Sequence, residues 1–470
     1  MGKHRLQTVA NASLSKKWKD KKQQEPVSQE IQPLTFDAMI KKLNEIFDTF
    51  PDKRSGKNAR LSINDAAMAA FAMFFTQTPS FLSYQKRMQD EQGRYSTKNF
   101  FGIAEIISDS HIRRLLDKVP CSFVYPMFSR IFYGLLEGGY LDQFRSHNGN
   151  LLVALDATEH HSSGIIHCEN CSEKHHKNGS ITYSHNVITP VVVHPDIKKA
   201  ISLRPEFIIP QDGHEKQDCE IAASKRLLMV DGATFKKLHV TILGDDLYCH
   251  QPFCELVLEE GLDFILTCKE PSHLTLYEYV DLLKEDVQTV VVTRYEGKIE
   301  YKDTYRFLNN VPLRDEKNAL EVNWCELITT RVGDDSGKKL YKNAFATNFV
   351  ITKKNVKQIV KDGRTRWKIE NENNNTLKTK GYNLEHNFGH GEKNLSSLLL
   401  ALNLVAFLFH TALELFNEEF QLRRQSIGKR EEFFHHIQVL ALFVDFENWT
   451  HLMDVMLKKR KLFTSDPDDS

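Results

Sequence analysis

The chain has no excess of charge of either sign: Lys+Arg and Asp+Glu stand at 62 each in 470 residues. A uniformly basic or acidic surface is thereby excluded, and any contact with a polyanion must come from local clusters. It also lacks a dense, evenly spaced cysteine framework. Eight cysteines in this length fit a reducing compartment better than a disulfide scaffold. The first residues, MGKHRLQTVANASLSKKWKDKKQQEP, contain no apolar core of the signal-peptide kind. A basic, disordered tail over 1–30 is expected there, and a basic arm of this type can meet DNA phosphate. Long apolar runs are scarce as well. One, Leu395 to Phe416, is long enough to cross a bilayer. It carries Ser396, Ser397, Asn403, His410, Thr411 and Glu414 and has no flanking aromatic belts. A helix buried in a globular core, with no membrane partner, is the expectation.

What is present is enough apolar residue, 41%, to bury a large core in two or more domains. From about Thr35 to Phe144 the pattern is helical. "LSINDAAMAAFAMFF" opens with Ser62 three residues before Asp65, a capping-box-like start, and "SDSHIRRLLDKV" begins in a similar way. At Leu151 the character changes. "LLVALDAT", "ITPVVVHP", "LHVTILGDD" and "LDFILTC" are short apolar runs with a helical stretch (217–231) among them, which predicts an α/β core with a mixed or parallel sheet. Residues 288–350 alternate and are rich in Val, Tyr and Thr, with turn signals at Glu296-Gly297 and Asp335-Ser336-Gly337. They predict consecutive antiparallel strands. From Lys354 the chain is helical again.

Two acids end apolar strands: Asp156 after LLVAL and Asp245 after VTILG. The carboxyl ends of strands in open α/β sheets are where sites assemble, although a turn or cap role suits either Asp alone. The segment "DGRTRWKIENENNNTLKTKGYNLEHNFGHG" adds Glu370 amid Arg364, Arg366, Lys368 and Lys378. Three carboxylates sharing divalent cations suit two-metal phosphoryl transfer, with arginine and lysine on phosphate oxygens.

The order Asp156, Asp245, a β-rich block, then Arg366-x3-Glu370 and Lys378 resembles the DDE transposases of bacterial insertion sequences, in particular the insertion-sequence-four type. "SDSHIRRLLDKV", "LDAT", "GDDLY", "ATNFVITKKNV", "RWKIENENNNTLK" and "GYNLEHNFGHG" carry the likeness, over roughly residues 55 to 420. The resemblance implies an RNase H-like α/β core interrupted by a β-rich insertion, with an all-helical N-terminal domain and a helical C-terminal segment. The implied divisions are a tail (1–30), a helical DNA-binding domain (31–148), the first part of the core (149–285), the insertion (286–350), the second part with the catalytic Glu (351–425) and C-terminal helices (426–470). It implies catalytic, Mg²⁺- or Mn²⁺-binding roles for Asp156, Asp245 and Glu370, with two ions, and phosphate contacts by Arg364, Arg366, Lys378 and Trp367. It further implies cleavage at the ends of the element, joining to target DNA, a homodimer on double-stranded DNA, and a cytoplasmic, nucleoid-associated place in a bacterium. A silent DNA-binding descendant and a nuclease without strand transfer are the alternatives. The family signature Y-x2-R-x3-E-x6-K is not met in full: Gly363 stands at the Tyr position, and seven residues separate Glu370 from Lys378. Asp246 rivals Asp245, and Glu372 rivals Glu370.

A second cluster follows the first Asp. "HHSSGIIHCENCSEKHHKNGSITYSH" holds a Cys168-x2-Cys171 pair, the usual half of a structural Zn²⁺ site. His175 or His176 is the expected third ligand, with His176 preferred. His160, His161, His167 or His185 remain open for the fourth.

Overall fold

The computed structural model describes residues 34–89, 91–210, 218–334 and 338–458. The expected tail over 1–30 and the turn at 335–337 lie outside the described residues.

The architecture is mixed α/β with a helical N-terminal region and a helical C-terminal segment. Strands in chain order are β1 (Leu151–Ala154), β2 (Ala157–Ser163), β3 (Ser172–His175), β4 (Ile181–Ile188), β5 (Val191–His194), β6 (Ile197–Ser202), β7 (Glu206–Ile208), β8 (Val240–Gly244), β9 (Asp263–Thr267), β10 (Gln288–Glu296), β11 (Ile299–Pro312), β12 (Glu321–Arg331) and β13 (Lys339–Thr347). Nine of them form one sheet in the order β10-β11-β12-β13-β9-β8-β1-β5-β6. Its centre is parallel, with β1 beside β8 and β8 beside β9, and both flanks are antiparallel. All four residues of β1 and all five of β8 are buried, as strands covered on both faces must be. The Val/Tyr/Thr-rich block is an antiparallel meander, as its alternation predicts. It joins the core sheet directly, because Phe345 to Thr347 of β13 pair with Thr267 to Ile265 of β9. A second sheet, β2-β4-β3 with β7 beside β4, is built from the chain between β1 and β5 together with β7, which follows β6.

The apolar run Leu395–Phe416 is a helix of 22 residues, buried along almost its whole length. It runs through the middle of the helical region. Phe71 and Phe75 of the Ile63–Phe75 helix lie 4.8 and 6.2 Å from its Phe409 ring. The C-terminal helices close the same core: Trp449 stacks on Phe36 at 4.5 Å, and Gln438 donates to the Thr76 carbonyl. The N- and C-terminal helices, separate by sequence, thus share one apolar interior. Among the expected caps, Ser62 accepts the Asp65 N–H at 2.8 Å. Ser108 occupies the N-cap position of the Asp109–Leu116 helix but makes no side-chain cap bond.

The Val356–Arg364 helix crosses the opposite face of the sheet, and Gly363 is where it comes closest. A Cβ there would lie 2.7 Å from Phe345 Cδ1 and 2.8 Å from Ile265 Cγ2. The position faces the packed surface of β9 and β13, so a tyrosine ring has no room there. Gly363→Tyr should therefore lower the urea midpoint of unfolding, by about 2 kcal/mol or more in stability. An unchanged midpoint would show that the helix can lift away freely.

Candidate active site

Asp156 follows β1 and Asp245 follows β8, at the same end of two adjacent parallel strands in register Leu152–Thr241. Geometry alone therefore sets the two acids side by side. Glu370 arrives from the other direction, on a π-helical turn, Ile369–Asn374. Such widened turns are frequent at functional sites. Its cause is in the run Glu-Asn-Glu-Asn-Asn-Asn, whose amides bond to the sheet. Ser202 Oγ donates to Asn373 Oδ1 (3.1 Å), Thr189 Oγ1 donates to Asn374 Oδ1 (3.1 Å), and Asn374 Nδ2 donates to Asp156 Oδ2 (3.3 Å). Both amides are buried. They tie the Glu370 turn to the segment that follows β1.

Arg366 binds the acids together. One turn before Glu370, the spacing at which helical charges meet, its guanidinium donates to Glu370 Oε1 at 2.7 Å and lies 4.0 Å from Asp156 Oδ1. Even so, the Asp156 carboxyl stays above its ordinary range. Burial pushes the Asp156 carboxyl up to about 7; Arg366 opposes the shift, while Glu220, Glu370 and Asp245 add to it. The fourth acid, Glu220, opens the Glu220–Lys237 helix. Its Oε1 accepts from Tyr248 Oη (2.7 Å) and from the Ala157 N–H (3.2 Å), and burial raises its pKa too. Tyr248 can tuck under the end of β8 because Gly244 has no Cβ, which would sit 2.9 Å from the Tyr248 ring.

The rivals separate by what they touch. Asp246 Oδ1 accepts the Lys269 N–H at 2.6 Å and lies 3.3 Å from His273 Nε2, so it braces the loop after β9. Asp245 also caps, taking the Leu247 N–H at 2.8 Å, but it contributes to the charge on Asp156 and lines an open cleft. Glu372 faces the other way, into a cavity with Lys198, Lys199 and Lys380. The acids brought together are thus Asp156, Asp245, Glu370 and Glu220. Sequence reasoning missed Glu220, because an acid in a first helical turn is also what the helix dipole favours.

The cations are divided. Arg364 stacks over Tyr341 at 4.5 Å and, with Arg366, Trp367 and Lys269, lines the cleft of about 440 Å³ beside Asp245. Trp367 is 46% exposed, an indole open to solvent at its rim. Lys378 turns to Glu385 at 2.7 Å, and Lys368 is buried, donating to the Ile197 carbonyl of β6.

The donor set fits Mg²⁺ or Mn²⁺: hard carboxylate oxygens grouped at one place, with Arg366, among the described residues, the one guanidinium that reaches both Glu370 and Asp156. Asp245→Ala should abolish any cleavage that depends on such ions, whereas Asp246→Ala should cost mainly stability, about 1–2 kcal/mol from the lost backbone and histidine contacts. Comparing both variants for cleavage and denaturant midpoint checks this, and the reverse pattern would make Asp246 the active acid.

The soft cluster is also rearranged relative to expectation. His176 is not beside the cysteines; its Nε2 meets Thr182 Oγ1 at 2.8 Å. His175 is exposed beside Glu173. Cys168 and Cys171 instead meet His185, from β4, and His390, from the loop before the buried helix. His390 lay outside the histidines considered from sequence, since nothing local ties it to a cysteine pair more than two hundred positions earlier.

Compared with protein-family models and with curated proteins, the chain finds no match in either.

Proposed function

We propose that the chain is a DNA phosphoryl transferase of the DDE-transposase type, cutting DNA at the ends of its element and joining those ends to target DNA. The observation that carries this reading is the meeting of Asp156 and Asp245, at adjacent parallel strand ends, with the Glu370 turn, around an Asp156 carboxyl pushed up to about 7 by burial, with its acidic neighbours adding to the shift. The five-strand block β6-β5-β1-β8-β9, parallel at its centre with helices between its parallel strands, supports an RNase H-like core. The meander between β9 and Glu370 supports an insertion of the kind the resemblance implies.

Asp156, Asp245 and Glu370 would hold the divalent ions, two by the chemistry proposed, and Glu220 would stand behind them. When bound, such ions supply charge stabilisation for the attacking and leaving oxygens of a phosphodiester. The chain's own groups do the rest. Arg366, already between two carboxylates, is placed to turn to a phosphate oxygen with bidentate geometry. Arg364 and Lys269 extend a positive rim along the cleft, and the exposed Trp367 indole offers a face on which an unpaired base stacks. The amide network of Asn373 and Asn374 keeps the Glu370 turn from shifting. A water or a 3'-hydroxyl would attack phosphorus and give its proton to solvent, the scissile P–O bond would break, and the leaving oxygen would take a proton from solvent. Partners on this reading are double-stranded DNA at both element ends and at the target, bridged by a homodimer in a bacterial cytoplasm.

The test is incubation of the full chain with labelled DNA carrying both element ends, in Mg²⁺, scoring nicked and joined products. Joined products are expected. Cleavage without joining would leave a nuclease, and end binding without cleavage a silent DNA-binding protein.

A further inference from the structure

Four ligand atoms from three separate parts of the chain converge beside the second sheet. Cys168 Sγ and Cys171 Sγ are 4.0 Å apart, and His185 Nε2 lies 3.5 and 3.4 Å from them. His390 Nε2 is 3.5 Å from Cys171 Sγ and 3.1 Å from His185 Nε2. All four lie within 4.8 Å of one another. A tetrahedral Zn²⁺ with Zn–S of about 2.3 Å and Zn–N of about 2.0–2.1 Å sets its ligands about 3.8 Å (S to S), about 3.5 Å (S to N) and about 3.3 Å (N to N) apart. The observed spacings follow that pattern, longest between sulfurs and shortest between nitrogens. A hydrogen-bonded cluster has no reason to gather four atoms within 4.8 Å of one another, since each shared proton serves one pair. The outer contacts fit as well. His390 Nδ1 lies 2.8 Å from the Gly391 carbonyl, which fixes the tautomer that leaves Nε2 free to ligate.

We propose that Cys168, Cys171, His185 and His390 hold one structural Zn²⁺ that fastens the hairpin following Asp156 to the loop following Glu370. Binding converts two thiols to thiolates and releases their two protons. With four protein ligands the tetrahedron is closed, so the site has no open position for chemistry and is separate from the carboxylate centre. Its effect is topological. Around it, Asn170 Nδ2, just before β3, donates to the Lys393 carbonyl at 3.0 Å, and the His390 ring lies 4.4 Å from that of His161 on β2. The ion would hold in place the entry to the buried Leu395–Phe416 helix.

The test starts with the unmodified full chain, purified without chelator. Elemental analysis should find about one equivalent of zinc per chain. Exchange into Co²⁺ should give the intense visible bands of a tetrahedral ion together with thiolate-to-cobalt charge transfer. His390→Ala and Cys171→Ser should each lose that metal and spectrum, whereas His176→Ala should keep both. The Co²⁺ spectrum of the unmodified chain stands even if a ligand variant fails to fold. A second Cys/His group, Cys249, Cys268 and His273, is buried near Asp246, so any further equivalent that survives His390→Ala belongs elsewhere and leaves the proposal intact. Folded protein with less than a tenth of an equivalent of zinc, an octahedral Co²⁺ spectrum, or metal lost in His176→Ala but kept in His390→Ala would overturn it.

Discussion

Asp156→Asn is expected to abolish Mg²⁺-dependent cleavage of DNA, by about a thousandfold or more, while making the metal-free protein more stable at pH 8. The two effects share one cause. Asp156 is mostly buried, and its carboxyl is held at about 7 against an ordinary 3.8 by burial and by three acidic neighbours. Between those values the folded chain keeps a proton that the unfolded chain releases, so folding stability falls as pH rises through that window and stays reduced above it. Asparagine keeps the shape and removes the charge. It should therefore flatten that fall, while an amide cannot replace a carboxylate on a divalent ion. Thermal unfolding of both proteins in chelator at pH 5 and pH 8, beside a cleavage assay, measures both effects. The stability gain should appear at pH 8 and largely vanish at pH 5. Active Asp156→Asn protein, or a variant destabilised equally at both pH values, would reject the strained-carboxylate account.

Asp117→Ala should cause a large loss of stability, although the side chain reaches the surface. The Asp117 carboxylate sits at the start of the Leu395–Phe416 helix and accepts four backbone N–H groups. Oδ2 takes that of Glu392 (3.1 Å), and Oδ1 takes those of Lys393 (3.1 Å), Asn394 (3.1 Å) and Leu395 (3.0 Å). Gly391 makes room for it, since a Cβ there would meet Asp117 Oδ1 at 2.3 Å. Hydrogen bonds to a charged group contribute about 1.5–3 kcal/mol each and are not additive, and a helix N-terminus favours negative charge. A loss of about 3 kcal/mol or more is expected, read as a lowered denaturant midpoint. Asp117→Asn, which keeps one acceptor oxygen, should lose less. Equal midpoints for Asp117→Ala and the parent would mean that solvent caps this helix as well as the carboxylate does.

Sequence made legible those features whose cause is local. Short apolar runs closed by an acid located β1 and β8 with Asp156 and Asp245. The Ser62 cap was readable three residues before Asp65, whereas Arg366, expected on phosphate, bonds Glu370 four residues on. Mixed chemistry in Leu395–Phe416 marked it as a core helix. The features that were not legible depend on residues distant in sequence. Continuity of the meander with the core rests on β13 pairing with β9, which alternation cannot announce. The choice between Asp245 and Asp246 turns on the Lys269 N–H and on His273, both supplied by the next strand and its loop. Nothing local sets Asn373 and Asn374 apart from their neighbouring amides; their bonds to Ser202, Thr189 and Asp156 make them buried struts. His390 in Gly-His-Gly looked like a loop residue until folding carried it to Cys171.

The most direct measurement of whether Asp156, Asp245 and Glu370 share one divalent-ion site is iron-directed cleavage of the polypeptide itself. Fe²⁺ replaces Mg²⁺ in the full chain with DNA bound, and ascorbate and peroxide generate hydroxyl radicals at the ion. Backbone cuts are expected in three clusters, near residues 156, 245 and 370, all suppressed by excess Mg²⁺ and absent from Asp156→Asn. Cuts that Mg²⁺ does not suppress, or that fall near only one of the three acids, would contradict a shared site.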